Sequence, residues 1–143
     1  MNRLRYAIAA AVCMLASPAS TADDWREIAK TRRTVLYVDI DSVRPTEQTA
    51  AFWSIIDYLQ PRMLPNTGKK IVSAKLLREA RCDVKSLATL HTIYYEEPGA
   101  KGKPIGEFVQ PGQAIHFVPA AAGSNEDRFL EVVCVVAETK RKR

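Results

Sequence analysis

His91 and His116 are the side chains best suited to near-neutral proton transfer or soft metal ligation. They stand 25 positions apart, each inside an apolar, strand-like run. A zinc site calls for three or four His, Cys or carboxylate ligands at close spacing. The two histidines are therefore read as ordinary strand residues, and no metal or cofactor is expected. Asp39 and Asp41 would share one strand face and mimic an acid–base pair. At a strand end, however, carboxylates more naturally shape a turn. Gly68-Lys69-Lys70 looks like the end of a phosphate loop, but that motif needs Gly where Met63 stands and Ser or Thr where Lys70 stands. Neither G-x-S-x-G nor H-E-x-x-H occurs. The reading is non-enzymatic.

The three cysteines do different chemistry. Residues 1–22 read as an export signal: Arg3 and Arg5 lead, Ala7–Ala16 is apolar, and Ser20-Thr21-Ala22 places small residues before a cut at Asp23. The apolar run is far shorter than the roughly 20 residues of a membrane span, so no transmembrane segment is expected in the mature chain. Cys13 leaves with the signal; Val12 occupies the place where a lipid-modified cysteine wants a small residue. Two cysteines remain, Cys82 and Cys134. In an exported chain an even count reads as one structural disulfide, two buried free thiols being the alternative.

The elements that must position these residues are mostly strands. Trp25–Ala29 opens the mature chain, and Thr34–Ile40 is β-branched and aromatic. Thr49–Leu59 is closed by Pro61 and Pro65, and Ser86–Glu96 is another strand. Lys69–Cys82 is ambiguous. Its composition favours a helix, but as a strand Val72, Ala74, Leu76, Ala80 and Cys82 share one face, with Ser73, Lys75, Glu79 and Arg81 opposite. Strand is preferred. Short strands are expected at Glu107–Val109 and Gln113–Pro119 about a Pro111-Gly112 turn. The period then changes. Gly123-Ser124-Asn125 followed by Glu126 and Asp127 is a helix start, with Leu130, Val133, Cys134 and Ala137 on one side of the helix. The expected fold is α+β: a single antiparallel sheet of five or six strands, with a C-terminal helix that a Cys82–Cys134 bridge would tie down. The domain covers residues 23–139, and Lys140–Arg143 reads as a free basic tail.

Charge excludes one class of partner. The net charge is +5, but Arg3, Arg5 and the four tail residues carry it, leaving −1 over residues 23–139. A nucleic-acid-binding domain carries positive charge on a folded face, so no nucleic-acid partner is expected. The candidate partner surface is Lys69 and Lys70, which enter the strand ending at Cys82, with Lys75 and Arg81 on its polar face. The plain alternative is a solvated strand face.

The order of features resembles the bacterial surface-adhesin protein E-like family. Trp25 lies near the mature start, Tyr37-Val38-Asp39 precedes Ser42, and Trp53 precedes Asp57-Tyr58 and Pro61. Ser73 and Lys75 come before Cys82, Tyr94-Tyr95 follows, and Pro119 precedes the helix that contains Cys134. The resemblance runs from about Trp25 to Cys134. It implies a small antiparallel sheet with a helix held on it by the Cys82–Cys134 disulfide. It also implies a periplasmic, outer-membrane or cell-surface envelope protein that binds a host extracellular-matrix protein or another envelope protein. In the adhesin for which the family is named, the basic approach to the first cysteine's strand belongs to the binding region. Lys69 and Lys70 occupy that place here. That adhesin is lipid-anchored, and this chain departs from it in having no lipobox. The competing readings are a periplasmic structural or accessory protein, and a carrier or sensor that holds a small ligand between sheet and helix. An uncovered sheet edge or face would allow a homodimer.

Overall fold

The computed structural model describes residues 23–143; the expected signal, residues 1–22, lies outside them. One antiparallel sheet contains β1 (Trp25–Lys30), β2 (Thr34–Asp39), β3 (Arg44–Pro45), β4 (Ala50–Met63), β5 (Lys70–Arg81), β6 (Ser86–Tyr95), β7 (Gly106–Val109) and β8 (Val118–Pro119). A single α-helix, α1 (Asn125–Arg141), follows. Six strands form the continuous path β1-β2-β4-β5-β6-β7, while β3 adds to β4 and β8 adds to β6. The expected five or six strands thus become eight, because two dipeptide pairings are too short to show a period.

The ambiguous stretch before Cys82 is a strand because its alternate residues pair with core-facing partners on both sides. Ala74, Leu76 and Ala80 lie opposite Ile56, Ser54 and Ala50 of β4 and Tyr94, Thr92 and Leu87 of β6. Burial of this face outweighs the helical composition. The core lies between this face and α1: Leu36, Val38, Phe52, Ile56, Ala74, Leu76, Ala80 and Leu87 pack with Phe129, Leu130, Val133 and Ala137. The Phe52 and Phe129 rings are 6.2 Å apart, within the range of a favourable aromatic pair. Ser124 caps the helix, its Oγ accepting from the Asp127 amide at 3.2 Å.

Three departures have local causes. First, β4 continues past Pro61 to Met63, because the β4–β5 ladder is interrupted between Asp57 and Arg62 and proline is tolerated at such an irregularity. Second, Gln113–Phe117 is not the expected strand. Residues 112–114 form a 3-10 turn in which the Ala114 amide donates to the Pro111 carbonyl at 2.8 Å, and only Val118–Pro119 pairs. Third, Lys140 and Arg141, read as the start of a free tail, form the last turn of α1. Both side chains are held: Lys140 by the carbonyls of Ile40, Asp41 and Val43, Arg141 by those of Thr46 and Thr49.

Cys82 at the end of β5 and Cys134 on α1 form a disulfide across 52 positions with a Cα–Cα distance of 5.7 Å. It lies beside the buried core and fixes α1 to the sheet.

Candidate functional site

The chemistry-bearing residues divide among three places. The first is the end of the β4–β5 hairpin. Lys69 and Lys70 are exposed there, and Lys69 lines a concavity of about 330 Å³ together with Lys101, Lys103, Glu96 and Glu97 from beyond β6. Thr67 shapes the hairpin: its Oγ1 donates to the Leu64 carbonyl at 2.9 Å and accepts from the Lys69 amide at 3.1 Å.

The second is the sheet face turned away from α1. Alternation along β5 puts Ser73, Lys75, Glu79 and Arg81 here, as expected, with Leu77 among them. The Lys75 Nζ lies 5.1 Å from the Trp53 ring centre and 5.4 Å from that of Trp25, within cation–π reach of both. Trp53 meets His91 edge-on at 6.0 Å, and the His91 Nε2 lies 3.0 Å from Glu107 Oε2. A shallow depression of about 380 Å³ adjoins this array, bounded by Trp25, Tyr37, Ile55, Asp57 and Lys101. Asp57 accepts from the Gly99 amide at 2.7 Å; burial nonetheless lifts its carboxyl above the usual value, with that bond and Lys101 opposing. The depression can hold a flat or apolar group over a cation.

The four basic candidates therefore do not form one patch. Lys70 and Arg81 bound β5 and are roughly 36 Å apart at strand rise. The Arg81 guanidinium stacks at 3.9 Å on Phe117, and Lys75 is enclosed by tryptophans. Among the described residues, no aromatic ring covers Lys69 or Lys70. Asp39 shapes a turn: its Oδ1 accepts from the Asp41 and Ser42 amides at 3.1 and 3.3 Å. It is buried while it does so.

The third place was not legible as a site. Arg78 sits in β5 between Leu76 and Ala80, on the face that packs against α1, and is 4% exposed. Its guanidinium carbon is 4.7 Å from the centre of the Phe129 ring. Burial pulls its pKa down to about 10, against the attraction of Glu126. It lines a cavity of about 350 Å³ beside the start of α1, together with Thr89, His116 and Glu126. Strict alternation from Ala74 to Ala80 was the available signal, since it places residue 78 on the apolar face.

The model of the Surface-adhesin protein E family matches residues 25–135. The chain belongs to the surface-adhesin protein E family. The match spans the sheet and most of α1, including both bridged cysteines, so the family resemblance carried by Trp25, Trp53 and the Cys82–Cys134 pair is established. Membership places the domain among exported surface proteins.

Solved structures agree in fold. Crystal form II of Haemophilus influenzae protein E is 16% identical, with a TM-score of 0.61 over 87% of this chain and 97% of that one. Protein E from non-typeable Haemophilus influenzae is likewise 16% identical, with a TM-score of 0.56 over 85% of this chain and 82% of that one. At this identity the likeness is one of architecture: the antiparallel sheet with its C-terminal helix. No curated protein resembles the chain closely enough in sequence to count as a match. Among the described residues, no helix is long and apolar enough to cross a membrane.

Proposed function

We propose that this surface-adhesin protein E domain works by binding, and that its partner is an acidic segment of a host extracellular-matrix protein. The observation that carries the reading is the family match over residues 25–135. The surface that fits it is the hairpin end, where Lys69 and Lys70 are exposed and Lys101 and Lys103 stand close by. Free lysines at a loop tip recruit an acidic partner by charge and release it with salt. Lys75 and Arg81 play a secondary part in this reading, since each already packs on an aromatic ring. Self-association would use an uncovered edge, β1 or β7. No catalytic role is assigned.

The test is a Lys69→Glu, Lys70→Glu double variant, measured for binding to a panel of immobilised matrix proteins at physiological salt. The expected result is a loss of binding of about tenfold or more, with an unchanged melting temperature. Undiminished binding would overturn the assignment of the hairpin end. Protease shaving of intact against permeabilised cells checks the location; protection until permeabilisation would favour the periplasmic reading.

A further inference from the structure

A buried guanidinium without a counter-ion is costly, because both the charge and every unmade N–H bond must be compensated. Arg78 is in that position. Its Nε is buried with no hydrogen-bond partner among the described residues. The salt bridges found among those residues are Arg26–Asp24, His91–Glu107 and Lys142–Glu138, none of which involves Arg78. The guanidinium carbon lies 4.7 Å from the centre of the Phe129 ring; such a cation–π contact supplies no hydrogen-bond acceptor to the Nε. The side chain also forms part of the wall of the 350 Å³ cavity, whose size lies near the lower end of the range for small-molecule sites, roughly 300–1,000 Å³.

The rest of the lining narrows the chemistry. Thr89 and His116 add polar groups, Leu87 and Val118 add an apolar wall, and Glu126 faces the same space. A guanidinium favours a carboxylate, which it can bind through two N–H groups. The Glu126 carboxylate opposes a second negative charge in the ligand. We propose that this cavity binds a small monocarboxylate, its head accepting from Arg78 and its short apolar body resting on Leu87 and Val118. The site is separate from the hairpin-end lysines, so it stands or falls independently of the adhesion reading.

The probe is isobutyrate, titrated into the purified, disulfide-bonded chain at constant ionic strength and followed by amide resonances in two-dimensional NMR. Isobutyramide and inorganic phosphate are the controls. The expected result is saturable shifts of the Thr89, His116 and Glu126 amides with isobutyrate alone. Arg78→Gln should weaken binding by about tenfold or more, and Glu126→Gln should leave it equal or tighter. Thr89→Phe, at the exposed strand position paired with Arg78, should abolish binding by filling the cavity. It decides the matter if Arg78→Gln fails to fold. Absence of saturable shifts, an equal response to isobutyramide or phosphate, or undiminished binding in Thr89→Phe would each overturn the proposal.

Discussion

The Lys140 ammonium donates to the Ile40 carbonyl at 3.0 Å, joining positions one hundred residues apart. The same nitrogen reaches the Val43 carbonyl at 3.0 Å and that of Asp41 at 3.3 Å, so one side chain caps the 3-10 turn after β2. Lys140→Met keeps the stem and removes the donors. The expected cost is about 1 kcal/mol for the lost hydrogen bonds, since the Ile40 carbonyl keeps the Val43 amide and those of Asp41 and Val43 keep Arg44; it is read as a lower midpoint in chemical denaturation. Lys142→Met, which removes only an exposed pair with Glu138, should be nearly neutral.

The Cys82–Cys134 bridge should matter more. Closing a loop of 52 positions restricts the unfolded chain by about 4 kcal/mol at most. A Cys82→Ala, Cys134→Ala variant should therefore lose a large part of a typical domain's stability. Thermal melts with and without reductant check this: reductant should lower the wild-type midpoint and leave the variant unchanged.

Residues 97–100 are fastened to the sheet by two side chains. The Ser73 Oγ donates to the Glu97 carbonyl and accepts from the Ala100 amide at 2.9 Å, while Asp57 accepts from Gly99. Ser73→Ala takes this partner from the Glu97 carbonyl and the half-buried Ala100 amide, an expected loss of about 1 kcal/mol. Hydrogen exchange should show the Gly99 and Ala100 amides opening first.

Asp57 also gives a pH dependence. Burial raises its carboxyl in the fold above the ordinary 3.8, so the folded chain takes up this proton before the unfolded chain does. Its contribution to stability therefore grows as pH falls through the folded value and levels off below 3.8. Asp57→Asn lacks that titration. The variant should melt higher than wild type at neutral pH, and the gap should shrink on acidification. A constant gap would remove Asp57 as the cause.

Much of the fold can be read from period alone. The strands around Leu36, Phe52 and Leu76, the capped helix and its apolar side all follow from alternation of two and a switch to 3.6. The stretch from Gln113 to Phe117 does not follow, because its β-like composition is overridden by a local turn at Ala114. Of the basic candidates, the sequence shows which face of β5 carries Lys75 and Arg81. It does not show that Trp25, distant in the chain, covers one and Phe117 the other. Arg78 is the instructive miss. A charge in an apolar alternation reads as an interruption, whereas here the guanidinium lies within cation–π reach of an aromatic ring contributed from α1.

The disulfide joins one segment before the long loops to another after them. Every peptide bond between residues 82 and 134, including those around Gly102 and Gly112, lies inside the covalent ring that it closes. A protease that nicks such a loop would produce two polypeptides but not two molecules. The N-terminal piece would carry Cys82, the C-terminal piece Cys134, and the bridge would hold them together until a reductant cleaved it. One cut in such a loop would alter the chain without dividing the domain.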